Sequence, residues 1–331
     1  MILAGDIGGT NSRLALFEKT EQGFMPVLEE TFPSASFAGL GEIVEKFLGD
    51  KSHSIESACF GVAGAVQYDL AKITNLPWVV DAGQVKRLVG HNRVRLINDL
   101  EANAYGLNEL SEKDFDVLNI GIKNPTGNAA IISAGTGLGE AGLHFEPDYA
   151  RRLRPFPTEG GHTDFAPRNE LEIELLRYLL TKFERVSVER VVSGMGLENI
   201  YQFLRDTKRA EVPVWLEEEV RESKNVGAVI SKYGLDGKAE ICERTLNIFV
   251  SLYGAEAGNL ALKMLATGGV FIGGGIAPKI LPKLHSSLFL ESFFAKGRMR
   301  QLLEAVPVSV VLNDKAALLG AAHFAFYEIN N

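Results

Sequence analysis

Three places in the chain carry residue types whose spacing suits chemistry. They are Asp6 with Gly8-Gly9-Thr10-Asn11, then Asn98-Asp99, then Gly135-Thr136-Gly137. In the first, an apolar strand pattern ends in a carboxylate and passes through two glycines into a second alternating pattern around Leu14 and Leu16. Glycines let backbone N–H groups close on phosphate oxygens. Thr10 and Asn11 add side-chain donors, and Asp6 suits a carboxylate that orients water around Mg²⁺. A plain hairpin turn accounts for the same residues equally well. A P-loop needs G-x-x-x-x-G-K-[ST] and a dinucleotide finger must open a helix. Neither is present, because a strand follows the loop.

The stretch from Ile131 to Glu146, "IISAGTGLGEAGLHFE", lies on the opening "LAGDIGGTNSRLALFE" without gaps. This reads as an internal duplication, and it turns the two loops into a candidate polyphosphate clamp. The clamp is asymmetric, since Ala134 stands where the first copy has Asp6. A third glycine run, Gly273-Gly274-Gly275, ends a strand and suits either a nucleoside against backbone or a tight strand–helix turn. Asp99 falls where the strand "RVRLI" gives way to a helical pattern. A carboxylate there stays charged and can accept a proton, though a helix cap without chemistry explains Asn98 or Asp99 as well.

The elements that must position these residues alternate in type. "MILAGDI", "SRLALFE" and "MPVLEETF" read as strands, and "FAGLGEIVEKFLGD" as a helix with Leu40, Ile43, Val44, Phe47 and Leu48 on one face. "IESACFGVAG", "DAGQVKRLVG", "RVRLI" and "NDLEANAYGLNEL" read as strand, helix, strand and helix. Strands return in "FDVLNIG", "NAAIISAG" and "LGEAGLHFE". From Asn169, a helix N-cap with Glu172 in the capping-box position, the pattern is mostly helical. A long helix is expected from Asp236 to about Ala266, with Gly254 and Gly258 on one face open to another helix. "GGVFIGGGIAP" reads as a buried strand before a helix begun at Pro278, and the chain ends in a strand and a helix. The class is α/β.

Of 331 residues, 46% are hydrophobic and 23% charged, with net charge -8 and no basic run. Nucleic acid and membrane surfaces, which need a basic footprint, are not expected as partners. Cys59 and Cys242 are too far apart in sequence for a CxxC site, which fits a reducing cytoplasm. "MILAGD" lacks a basic leader and Asp6 interrupts its apolar run, so no signal peptide is expected, nor any membrane span.

Taken together, "GDIGGTNSRLAL", "INDLEANAYG", "SAGTGLG", "EGGHTDFAP", "VSVERVVSGMGLENIY", "GGVFIGGGIAP" and "LLGAAH" resemble the bacterial glucokinase family over nearly the whole chain. That resemblance implies the actin-like (ribonuclease H-like) duplicated ATPase fold, with two α/β domains and a cleft between them. The expected smaller domain is 1–110, joined by the C-terminal helix at about 313–328, and the larger is 111–312. The implied activity is transfer of the ATP γ-phosphoryl group to the 6-hydroxyl of glucose, with Mg²⁺. The matching positions are Asp99 as base and Asn98, Asp99, Glu159, His162 and Glu189 as sugar contacts. Asp6, through water, serves the metal. Gly8, Gly9, Thr10, Asn11, Gly135, Thr136, Gly137, Gly274 and Gly275 serve the nucleotide. Thr74, Asn75 and Trp78 are further candidates near the sugar. Two departures, Thr158 before "EGGH" and Met195 in "SGMG", are not chemical groups the mechanism needs, though both are placed to shape the expected sugar pocket. Related enzymes are often homodimers.

Other readings share the fold. Repressor-type kinases of other hexoses or N-acetylhexosamines often carry a cysteine-rich zinc loop, which two distant cysteines do not supply. A DNA-binding regulator needs a helix-turn-helix, and the chain opens on its first strand. A non-sugar ATPase has no use for "EGGH" or "NDLEA".

Overall fold

The computed structural model describes residues 1–49, 53–73, 76–149 and 153–329. The chain divides into two compact units. The first comprises Met1–Asp114, Asp148–Pro157 and Asn313–Asn331, and the second Phe115–Pro147 and Thr158–Leu312.

In the first unit, β1 (Ile2–Ile7), β2 (Asn11–Thr20) and β3 (Gly23–Pro33) form an antiparallel meander. β4 (Ser57–Val62) follows α1 (Leu40–Leu48) and runs parallel to β1. β5 (Val66–Gln67), β6 (Leu70–Lys72) and β7 (Val79–Asp81) make a small separate sheet. After α2 (Ala82–Val89), β8 (Val94–Asn98) completes the order β3-β2-β1-β4-β8 and leads into α3 (Asp99–Gly106). All six residues of β4 are buried, as a central parallel strand covered on both faces must be. The alternation of β1 sorts its residues between two cores. Leu3 packs with Ile43, Val44 and Val85 of α1 and α2, whereas Ile2 and Ala4 pack with Ala102, Tyr105 and Ala321.

The last of these belongs to α12 (Ala316–Tyr327), which lies against α3. The contact is backbone on backbone. A side chain at Gly320 would collide with the Ala102 carbonyl, and one at Gly106 with the Ala316 carbonyl. Buried His323 adds a lock, with Nδ1 2.7 Å from Glu109 Oε1 and Nε2 2.6 Å from the Tyr149 hydroxyl. The C-terminal helix thus fixes the helix that begins at Asp99.

The second unit repeats the plan with β9 (Phe115–Asn119), β10 (Ala129–Ala134) and β11 (Leu138–Phe145). β12 (Leu153–Thr158) carries the chain back into this unit. With β13 (Gly269–Gly273) and β14 (Val308–Val311), five strands run in the order β11-β10-β13-β14-β9. β10, like β1, has an antiparallel hairpin partner on one side and a parallel strand on the other. The hairpins are nevertheless not gapless copies. Asp6 faces Arg13, whereas Ala134 faces Leu138, so against the gapless match the pairing register differs by three residues. An odd offset exchanges the faces of a strand, so the gapless match holds along one strand of each hairpin and fails along the other.

Helices fill the rest of this unit. They are α4 (Glu170–Leu180), α5 (Gly194–Asp206), α6 (Val214–Glu222), α7 (Val226–Leu235), α8 (Glu240–Met264), α9 (Leu281–Leu284), α10 (Ser287–Phe294) and α11 (Arg300–Glu304). Asn169 caps α4 by accepting from the Glu172 N–H, while Glu172 accepts from the Arg168 N–H rather than closing the box on Asn169. α8 starts four residues later than the apolar pattern, because Gly237 adopts φ +65 and ends the preceding turn. Gly254 and Gly258 of α8 do receive another helix, with the Phe289 and Phe293 carbonyls of α10 against them. α3 is shorter than its pattern and tightens into a 3-10 turn at Leu107–Glu109. Trp78 is core, its indole N–H donating to the Phe37 carbonyl, while Thr74 and Asn75 lie outside the described residues. Among the described residues no helix is long and apolar enough to cross a membrane.

Two outcomes follow for stability. Gly320→Val should cost about 1–3 kcal/mol or more by overpacking the α3–α12 contact, read as a lowered unfolding midpoint in calorimetry. The second concerns Glu140, 1% exposed on β11, with Oε1 lacking any partner among the described residues. Burial, reinforced by Glu256 and opposed by Lys263, pushes its carboxyl from 4.5 up to about 7. Between those values the folded chain keeps a proton that the unfolded chain releases, so stability falls as pH rises through that window. Glu140→Gln should be more stable than the parent above pH 7, on the order of 2–3 kcal/mol, and not at pH 4.5. Urea midpoints across this range decide it.

Candidate active site

In the first unit, β1, β4 and β8 run parallel and end at one edge, where open α/β sheets hold ligands. Asp6 stands beside Gly61, and Gly61 beside Ile97, one residue before Asn98. Gly61 has no side chain, so Ala102 of α3 settles over it and the Asp99 Cα comes within 3.7 Å of where its Cβ would be. Asp6 and Asp99 are thereby brought near each other. Burial first, then the Asp99 carboxylate, lifts the Asp6 carboxyl to about 6, with Asp314 adding to the push and Arg13 opposing it.

Asn98 takes the N-cap of α3, its Oδ1 accepting from Leu100 N–H at 2.9 Å and Glu101 N–H at 3.4 Å. Its amide donates to the Gly64 carbonyl. Asp99 therefore sits one position inside the helix, where its Oδ1 accepts from the Leu100 N–H and the dipole favours its charge. The loop at Gly8–Asn11 is closed by the Gly8 N–H on the Asn11 carbonyl, with Thr10 and Asn11 exposed. Ser34 braces it from behind, donating from Oγ to the Gly8 carbonyl and from N–H to the Thr10 carbonyl. Arg13 holds Asp314 at 3.1 Å. Neither Ser34 nor Arg13 was expected from the sequence. "PSAS" looks like any strand exit, and Arg13 reads as an ordinary outward residue of β2.

In the second unit, three expected side chains meet. His162 Nε2 lies 4.0 Å from Glu159 Oε2 and His162 Nδ1 lies 4.0 Å from Glu189 Oε1. Both distances exceed a hydrogen bond. Their polar atoms thus face one another without bonding one another, a suitable receptor for hydroxyls that donate and accept. Glu159 and His162 are 75% and 56% exposed and Glu189 only 19%. Glu189, on the 3-10 turn Val188–Arg190, is no solvated surface group, since its Oε2 accepts from the Leu138 N–H at 3.0 Å. It fills the space a side chain at Gly137 would need. One glutamate therefore touches both the second glycine loop and the histidine.

The glycines of "EGGH" serve packing rather than an opening. Gly160 rests on the Glu140 side chain and Gly161 on the Leu138 carbonyl, so β11 occupies the room they leave. Thr158 donates to the Glu140 carbonyl and accepts from the Gly160 N–H, and Met195 sulfur accepts from Arg190. At the second loop the Gly194 N–H, first in α5, donates to the Gly135 carbonyl, which sets a helix N-terminus beside Gly135–Gly137. Gly274 has φ +82 and lies against the Ala134 backbone, so the third glycine run adjoins the same loop. Gly275 and Thr136 are exposed.

A family model described as Glucokinase matches residues 3–327. A glucokinase of Nostoc punctiforme is 47% identical, over 97% of this chain and 98% of its own length. The crystal structure of a glucokinase from an Antarctic psychrotroph superposes with TM-score 0.82 at 33% identity, covering 97% of each chain. A ROK family glucokinase from Streptomyces griseus, solved with glucose and AMPPNP, shares the fold at TM-score 0.65 and 20% identity, over 97% of each chain. The chain belongs to the glucokinase family, ATP-dependent kinases of glucose.

Proposed function

We propose that the glucose phosphorylation of this family runs in this chain through Asp99 as the base that takes the proton of the 6-hydroxyl while the oxygen attacks the γ-phosphorus of ATP. The observation that carries the reading is the division of labour at the head of α3, where Asn98 satisfies the cap. Asp99 stands one position on, in the first turn at the ligand-binding edge of the sheet, where the helix dipole favours a carboxylate. Phosphoryl transfer asks little covalent chemistry of the protein, so position and charge are what the residues supply. Glu159, His162 and Glu189 orient the sugar hydroxyls, and Asn98 offers its remaining amide N–H. The backbone N–H groups at Gly8–Asn11 and Gly135–Gly137, with Thr10 and Thr136, hold phosphate oxygens, and Gly274 and Gly275 lie under the nucleoside. The structure with glucose and AMPPNP from Streptomyces griseus supports sugar and nucleotide as the ligand pair.

Asp6 fits a Mg²⁺ held through water. Among the described residues no three His, Cys, Asp or Glu side chains are arranged to hold a metal ion directly. Mg²⁺ keeps its waters and needs only one or two carboxylates beside the phosphates. Asp6, buried at the sheet edge beside Asp99, is placed where a nearby hydrated cation would favour its charged form. When bound, the ion offsets charge on the transferring phosphoryl group. The two free, buried cysteines support a reducing compartment, the cytoplasm. Pairing into a homodimer rests on the resemblance alone, and sedimentation velocity reads it.

Asp99→Ala should lower kcat by at least ~10²-fold, the usual scale for a lost general base, while circular dichroism shows that the fold survives. Near-parental turnover would falsify the role. Glu159→Ala should raise the Kd for glucose by roughly tenfold, the scale of one charge-assisted hydrogen bond, and leave nucleotide binding within twofold. Calorimetry showing the opposite split assigns Glu159 to the nucleotide instead.

A further inference from the structure

Behind the sugar cluster, wholly inside the second unit, lies a cavity of about 180 Å³. Its walls are apolar at Phe165, Val188, Val192 and Leu252, and polar at Arg168, Glu256, Asn259 and Lys296. An engineered apolar cavity of about 150 Å³ takes benzene, so this one has room for a molecule of roughly six to ten heavy atoms.

The charges around it do not balance. Arg168 is answered by Glu172, with Nη2–Oε1 at 2.5 Å, and Glu256 by Lys263 at 3.2 Å. Lys296 donates to the Ala255 carbonyl at 2.9 Å and to Asn259 Oδ1 at 2.5 Å, both uncharged. Among the described residues it forms no ion pair, and one of its three N–H groups has no partner. Burial, then Arg168, lowers its ammonium to about 8, with Lys263 pushing the same way and Glu256 and Glu172 opposing. Such a half-buried cation calls for an anion that the chain does not supply.

We propose that this cavity binds a small organic anion, its carboxylate or phosphate head held by Lys296 and Arg168 and its carbon part against Phe165, Val188 and Val192. The same two segments carry the sugar cluster. Phe165 follows Glu159 and His162, and Val188 precedes Glu189. They are tied across by the Phe165 N–H on the Val186 carbonyl and the Val188 N–H on the Thr163 carbonyl. An occupant braces both segments, so it tightens glucose binding, and glucose tightens its binding by the same factor. This coupling rests on the sugar assignment above, whereas the anion site does not.

The test is calorimetric titration of the full chain with pyruvate and, separately, with glycerol 3-phosphate, without sugar or nucleotide. One saturable site is expected for at least one probe, and which probe binds tells a carboxylate head from a phosphate head. Lys296→Met should weaken it at least ~10-fold, as loss of a charge-assisted hydrogen bond does. This also separates it from phosphate on the glycine loops. Ala255→Leu, which fills the cavity and keeps the lysine, should abolish binding. In the unaltered protein at pH 8, binding should take up roughly half a proton, since an anion restores the charge of Lys296. The uptake appears as a buffer-dependent enthalpy. No saturable binding, no proton uptake, or equal affinity in Lys296→Met overturns the site. Binding that leaves the KM for glucose unchanged overturns the coupling alone.

Discussion

The first unit depends on a repulsion that its sheet enforces. β1, β4 and β8 run parallel, with β4 buried on both faces, and parallel strands end together. Asp6 and the head of α3 therefore arrive at one edge. Gly61 lets α3 settle low enough that Asp99 raises the charging cost of Asp6. Burial and the facing Asp99 together make the charged form of Asp6 costly at the sheet edge. The fold tolerates this because the contact of α12 on α3, glycine against carbonyl at two levels, and the buried His323–Glu109 pair hold the helix where repulsion would move it.

The second unit solves a different problem, holding polar groups side by side without letting them satisfy one another. Glu189 shows how. One of its oxygens is anchored by the Leu138 N–H and the other is left toward His162. The anchor fixes the rotamer, so the free oxygen is pre-oriented and loses little entropy on binding. The same anchor ties the Glu159–His162–Glu189 group to the glycine loop between β10 and β11.

Much of this was legible in the residues. The helical spacing of Leu40, Ile43, Val44 and Phe47 gave α1, and each of these side chains is buried. The strand after Gly8–Asn11 argued for a hairpin, and β1 and β2 form one. Either Asn98 or Asp99 suits a helix cap by residue type, and the hydrogen bonds give the N-cap to Asn98, while Asp99 shares the Leu100 N–H. Gly160 and Gly161 stand inside a family motif, and β11 fills the room they leave. A sequence marks where a side chain is missing and not what takes its place.

Local pattern and chemistry were written in the sequence: the strands and helices near the site, the three glycine runs, the carboxylate at the helix head, and the combination of motifs that marks the family. These depend on neighbours a few residues away. Convergence was decided only in three dimensions. The three-residue difference between the hairpins, the seat of Glu189 under Gly137, the brace from Ser34 and the unanswered charge of Lys296 all join residues distant in the chain. Such contacts are set by strand register and helix depth, which follow from packing the whole unit, and no short segment contains that information.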